Sequence, residues 1–371
     1  MAAFTGISGV LIMNDFDIND FIKGIGHADH EAMRLAAERQ AALAKPPKSL
    51  GKLEDISIRI AGITGKVLND IDNCRVIVFA ADNGVVAEGV AVTPQSVTLQ
   101  QSINMTKHKT GMSALAKYFG NSVYVVDVGI NSSVEHPLII NRKQRMGSGN
   151  IRRGPAMTPA EARYAMSVGI EAVETAAHDG VQLIGIGEMG IGNTTTSAAV
   201  LSAITGADAN TVTGRGSGLT DSAFELKKRV ITEAIMLNKP NPSDIIDVIS
   251  KVGGFDIAAM AGAFLGCARY RIPAVVEGFI SIVAALCAVK LCPAVKDYLL
   301  LSHASQEVGY RVAAEELGLS PFLLLDMRLG EGSGCPLAFE IIKGACAVMS
   351  DMYTFDEASI DDEYLDAIRS I

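Results

Sequence analysis

With 371 residues, 49% hydrophobic and 20% charged, the chain can bury a large core, as one large domain with an appendage or as two domains. A net charge of −9 argues against a nucleic-acid footprint, and no block of like charge marks a tail. Aromatic residues are few and tryptophan is absent, which favours small-residue packing of helices on a sheet over an aromatic-rich β-sandwich.

Met1 to Met13 is mildly apolar but lacks a basic start and soon meets Asp15 and Asp17, so it is not expected to be a signal peptide. Residues 15–44 read as helical, with His30 to Leu43 rich in Ala, Glu, Arg and Leu, and Pro46-Pro47 as the stop. Leu53 to Ile63 has apolar residues at helical spacing. These helices cannot close a core alone; the apolar, helix-spaced segment from Pro336 to Met349 is their expected partner.

From Arg75 onward the pattern becomes apolar runs alternating with helical segments. The runs are Val76–Ala81, Val123–Val128, Leu183–Ile186, Ile272–Val276, Tyr298–Leu301 and Leu323–Asp326. This predicts an α/β fold with a parallel six-stranded sheet flanked by helices, whose strands end in polar and glycine residues at the carboxyl edge, where such folds bind ligands. Asn131 to Pro159, carrying Arg142, Arg145, Arg152 and Arg153, reads as a loop. The longest apolar segment, Ile272 to Leu291, contains Pro273, Glu277 and Lys290 and fits a buried strand plus helix better than a membrane span. The six cysteines form no CxxC pair and read as reduced core residues of a cytoplasmic protein. The histidines lack HExxH or HxH spacing, so no metal site and no cofactor is expected.

Three stretches carry chemistry. Gly185-Ile-Gly-Glu-Met-Gly-Ile-Gly-Asn-Thr-Thr-Thr196 follows a strand and opens a helix, an arrangement suited to a phosphate. It lacks the Lys-Ser/Thr pair of a Walker loop; GxGxxG occurs from Gly185 to Gly190 without a clear ribose-binding acid, and a plain helix-capping loop remains open. Gly214-Arg-Gly-Ser-Gly218, with Asp221 and Lys227 beyond it, forms a second anion-friendly loop, although Lys227 to Arg229 also fits a solvated helix face. Arg328-Leu-Gly-Glu-Gly-Ser-Gly334 places Glu331 between glycines after an apolar run that reads as a buried strand; it is either a tight turn with a solvated acid or a site carboxylate. Glu188 and Glu331 at separate strand ends, beside a phosphate nest, suit a reaction passing through positive charge at a sugar carbon.

Together with Lys45-Pro-Pro-Lys-Ser-Leu-Gly-Lys-Leu-Glu54, Ala81-Asp-Asn-Gly-Val-Val-Ala-Glu-Gly-Val90, Gly253-Gly-Phe-Asp-Ile-Ala-Ala-Met-Ala-Gly262 and Ser302-His-Ala-Ser305, these stretches occur in an order that resembles the nicotinate-nucleotide–dimethylbenzimidazole phosphoribosyltransferases, from about Ala28 to about Met352. The resemblance implies transfer of phosphoribose from nicotinate mononucleotide to a cobamide lower-ligand base, releasing nicotinate and forming an α-riboside 5′-phosphate. It also implies a dimer, and a Rossmann-like domain at 71–339 with a small helical domain from 1–70 and 340–371. It makes Glu331 the base and Glu188 a second active-site carboxylate, puts Gly190, Gly192, Asn193, Gly216, Lys227 and Ser305 around the nucleotide, and Asn83, Thr93 and Gln101 around the acceptor. Three positions depart from the family pattern. Asn83 and Tyr310 stand where His is usual, and Glu277 where Asp is common. The smaller amide at Asn83 is expected to loosen the demand for a two-ring base and admit a phenol or p-cresol, with a paralogous partner subunit as in some relatives. A non-catalytic nucleotide-binding subunit supporting such a paralogue is the alternative.

Overall fold

The computed structural model describes residues 17–361 except 217, and residues 363–365. The leader reading for Met1–Met13, and Ser217 of the second glycine loop, lie outside the described residues.

The sheet has six strands: β1 (Cys74–Ala81), β2 (Ser122–Gly129), β3 (Ile139–Asn141), β4 (Leu183–Met189), β5 (Ala274–Val276) and β6 (Leu299–Leu301). Their order is β3-β2-β1-β4-β5-β6, and every pairing is parallel. The chain therefore winds outward from β1 to β3, then returns to the centre and winds outward through β4 to β6. The reversal between β1 and β4 opens a crevice at their carboxyl ends, the usual ligand position in such sheets. β1 and β4 are central because they can be: β1 is buried at all of its positions, as is β4, so helices cover both faces.

The sixth strand is not the expected one. Leu323–Asp326 makes only a single parallel bridge, between His303 and Leu323, while Leu324 is 83% exposed and Asp326 turns into the left-handed region at φ 53°. An apolar run without periodicity looks the same whether a second layer covers it or not, and here nothing covers Leu324. The true outer strand, β3, lies in the segment read as a loop. Elsewhere in that segment arginines are bound by acids: Arg142 by Glu171, Arg145 by Glu161, and both Arg152 and Arg153 by Glu88. β4 also runs to Met189, past the expected end at Ile186, so Gly187 and Glu188 are strand residues rather than loop residues.

The amino-terminal helical reading breaks in two, Ile18–Ile22 and His30–Ala42, with Asp29 capping the second through Ala32 N–H. Helix Lys52–Thr64 follows, and both longer helices meet the carboxyl-terminal helix Cys335–Asp351 around a small cluster of Ala36, Leu43, Ala61 and Met349. Helix Cys335–Asp351 runs unbroken through residue 340, with Phe339 still in the main core.

Candidate active site

Gly187 in β4 decides where the acid-bearing turn can lie. A Cβ there would stand 2.7 Å from the backbone oxygen of Glu331 and 3.0 Å from Gly332 Cα, so only glycine lets the turn rest directly on the strand. Three consecutive residues of that turn are left-handed: Gly330 at φ 79°, Glu331 at 63° and Gly332 at 81°. The outer two carry no penalty; Glu331 costs about 1–2 kcal/mol, the usual figure for an L-residue in this region. The turn is held from below. Glu331 N–H donates to Glu188 Oε1 at 3.1 Å, and Gly332 N–H donates to Glu277 Oε2 at 2.9 Å.

Glu331 is 8% exposed, and its Oε2 is buried without a hydrogen-bond partner. Burial first, and the negative charge of Glu188 second, push its carboxyl up to about 7; Gln101 and Thr110 nearby oppose the shift. Glu188 is fully engaged as an acceptor, taking Asn193 Nδ2–H on Oε2 as well as the Glu331 amide, and burial raises its pKa against those bonds. Behind them lies Asp256 in the first turn of helix Phe255–Arg269, unexposed, with its pKa pushed up to about 7 by burial and then by Glu188.

At the far end of the same wall stands Lys227, 1% exposed on helix Asp221–Asn238. Its Nζ donates to Thr194 Oγ1 at 2.9 Å and to the Gly214 carbonyl at 3.1 Å. Burial lowers its pKa to about 8, with Glu307 opposing. Gly192, left-handed at φ 95°, opens helix Asn193–Thr205, whose first residues, Asn193 and Thr194, border the same space at the positive end of the helix dipole.

Glu331, Glu188, Lys227 and the helix start at Gly192 line one cleft of about 610 Å³. Glu331 and Glu188 share it with Gly190, Gly192 and Asn193 of the β4–helix turn, with Gly216 and Lys227, and with Ser305 beyond β6. Thr93 and Gln101 line it from the side of helix Ser96–Thr106, next to Val90, Val97 and Leu329. Asn83 does not line it. Its side chain is unexposed and its Oδ1 accepts from Thr196 Oγ1 at 3.2 Å, which ties it to the helix behind the wall. Asp221 is likewise occupied elsewhere, in a surface pair with Arg215. Sequence reading overlooked Asp256 and Glu277 as parts of the site. The signal was present, since Gly253-Gly-Phe-Asp256 and Glu277-Gly278 each set an acid close to glycine at a helix start.

A family model described as phosphoribosyltransferase matches residues 25–360. A nicotinate-nucleotide–dimethylbenzimidazole phosphoribosyltransferase from Clostridium perfringens is 52% identical over 352 residues, covering 95% of this chain and 98% of that protein. The chain belongs to the nicotinate-nucleotide–dimethylbenzimidazole phosphoribosyltransferase family. A member from Clostridium tetani is 47% identical over 353 residues, again 95% and 98% of the two chains. The crystal structure of CobT from Thermus thermophilus superposes with a TM-score of 0.86 at 38% identity, over 89% of this chain and 99% of that one. The chain is thus an enzyme, a phosphoribosyltransferase, and the parallel α/β sheet is that of its family. Among the described residues no helix is long and apolar enough to cross a membrane, and no group of three or more His, Cys, Asp or Glu could hold a metal ion.

Proposed function

We propose that this phosphoribosyltransferase moves the 5-phosphoribosyl group of nicotinate mononucleotide to an aromatic acceptor of the cobamide lower-ligand type, dimethylbenzimidazole or a one-ring phenol, with Glu331 as general base. The observation that carries this reading is Glu331 Oε2, a buried carboxylate oxygen on the cleft wall with no donor of its own and a pKa near 7. That is the state of a group able to take a proton at neutral pH. Lys227, Gly216 and the first turn of helix Asn193–Thr205 hold the nucleotide phosphate; Gly190, Gly192, Asn193 and Ser305 surround the rest of the nucleotide. Thr93, Gln101 and the apolar side chains of Val90, Val97 and Leu329 receive the flat acceptor.

The leaving pyridinium is already cationic, so the C1′–N bond breaks to neutral-ring nicotinate without an acid. The acceptor lone pair forms the new bond at C1′ from the opposite face, inverting β to α. The acceptor's ring N–H or phenol O–H proton passes to Glu331. Catalysis is positioning plus one proton transfer. We further read the enzyme as a cytoplasmic dimer, of two copies or with a paralogue; its six cysteines are all free and buried, as suits a reducing compartment. Incubating the purified chain with nicotinate mononucleotide and equal dimethylbenzimidazole and phenol, then separating products, tests the reading. Nicotinate release matched by an α-riboside 5′-phosphate is expected; acceptor-independent release, or none with either acceptor, overturns it.

A further inference from the structure

Glu277 follows β5 and is 2% exposed, outside the lining of the cleft. Nevertheless its carboxylate grips the turn that carries Glu331. Oε2 accepts from Gly332 N–H at 2.9 Å, Oε1 accepts from Ser333 Oγ at 3.3 Å, and Gly334 N–H also bears on it. Successive amides in a tight turn can form a donor surface that ordinarily takes an anion. Here two buried acids from neighbouring strand ends fill that role: Glu188 takes the amide of Glu331, and Glu277 the next one along. The Glu277 carboxylate is itself backed by His303, with Nε2 3.6 Å from Oε1, and Gly334 is packed so closely that a Cβ there would meet His303 Nδ1 at 2.4 Å and Glu277 Cγ at 3.1 Å. The clamp has little room to move.

We infer that Glu277 is a positioning residue for the transfer reaction: from behind the cleft it fixes Gly332 and Ser333, so that the left-handed turn presents Glu331 to the acceptor. The inference rests on Glu331 being the base. A buried acid that merely satisfies nearby donors would contribute to folding alone. The two roles differ in what happens once Glu331 is disabled.

The experiment is a mutant cycle in the full chain. Single-turnover α-riboside phosphate formation and nucleotide affinity are measured for wild type, Glu277→Gln, Ser333→Ala, Glu331→Gln and the two doubles with Glu331→Gln. Glu277→Gln places an NH₂ against donors; its rate is expected to fall about 10–100-fold, the loss that follows a misplacement of the order of an ångström, with nucleotide affinity within about threefold. Ser333→Ala removes one contact and keeps the buried acid, so a loss of roughly 3–10-fold is expected. In the Glu331→Gln background neither substitution should lower the residual rate further, because each acts through Glu331. A folded Glu277→Gln protein within about threefold of wild type, or an equal loss in both backgrounds, overturns the inference. If Glu277→Gln does not fold, Ser333→Ala decides, and a wild-type rate there overturns it. A Glu331→Gln protein that remains fully active would instead sink the assignment of the base.

Discussion

Glu331→Gln should make the protein slower and more stable at once, and the second effect should depend on pH. The carboxyl of Glu331 has an ordinary value of 4.5 and is held at about 7 by burial and by Glu188. A raised folded-state pKa means the folded chain binds this proton more tightly than the unfolded one. The contribution to stability is therefore complete below about 4.5 and is lost as pH rises through about 7. The difference between those values corresponds to about 3 kcal/mol as an upper bound, which native Glu331 forfeits above pH 7 and a neutral glutamine does not. Glutamine keeps the length and planar shape, so the turn and its bonds to Glu188 and Glu277 stay intact. Turnover should fall by roughly 10²–10⁴, the range for losing a general base, with nucleotide affinity nearly unchanged. Two measurements check this: single-turnover product formation at saturating substrates, and melting temperature at pH 5 and pH 8. The melting temperatures should be close at pH 5, and the variant should melt several degrees higher at pH 8. A rate within about threefold of wild type would refute the base assignment. A variant that melts lower at pH 8 would refute the claim that Glu331 is a desolvated acid held against its preference.

Lys227→Met should weaken nicotinate mononucleotide binding by about 1–3 kcal/mol in calorimetry, the range for a charge-assisted bond, and unchanged affinity would remove Lys227 from the phosphate site. Because burial holds its pKa at about 8, the wild-type affinity should decline as pH rises through 8 and the lysine loses its charge, whereas the variant should show no such decline. Gly187→Ala drives a Cβ into backbone at 2.7 Å, where no side chain can swing away. It should cost about 1–3 kcal/mol of stability as an overpacking change and lower the rate at least about tenfold by lifting the turn, with nucleotide affinity retained; a wild-type rate would show that the turn tolerates displacement.

How much of this could be read from the residues depends on whether the signal was local. Val76–Ala81, Val123–Val128 and Leu183–Ile186 are continuous apolar runs ended by polar and glycine residues, and a run of that kind needs both faces covered. Leu323–Asp326 has the same texture without the cover, and β3 has only three residues, too few for a pattern. The tight turn at Glu331 was legible from its flanking glycines. Lys227 was legible only by its neighbourhood: nothing in Lys227-Lys228-Arg229 says that the first of the three faces inward, which helix phase and the Gly214 loop decide. Asn83, which the resemblance sets at the acceptor, sends its N–H to the Ile191 carbonyl, accepts from Thr196 on its side chain and is not part of the cleft lining, which no local signal foretold. Asp256 and Glu277 stand at the starts of two successive helices, both remote in sequence from Glu188 and Glu331, and the pairing of β4 with β5 brings Glu277 beside Glu188.

The proposed base, Glu331, and the proposed phosphate cation, Lys227, belong to different segments, about a hundred residues apart in sequence, but both are tied to one short stretch. Glu331 hangs from Glu188 by its amide, Glu188 is fixed by Asn193, and Lys227 is fixed by Thr194, the next residue along. Asn193 and Thr194 are the first two residues of a helix that is buried through most of its length and so cannot tilt without disturbing the core. On the proposed reading, the separation between the Glu331 carboxyl and the Lys227 ammonium is referred to this helix start, with Glu277 and the Gly214 carbonyl as further restraints. A reaction with one proton transfer and no demand for leaving-group activation places its requirement on that separation, since the acceptor must meet C1′ while the phosphate is held. On that reading, the glycine-dense stretch from Gly185 to Gly192 would serve the proposed reaction without supplying a nucleophile or a base of its own. Gly187 lets the turn approach, Gly192 starts the helix, and the residue between them that carries charge, Glu188, joins one to the other.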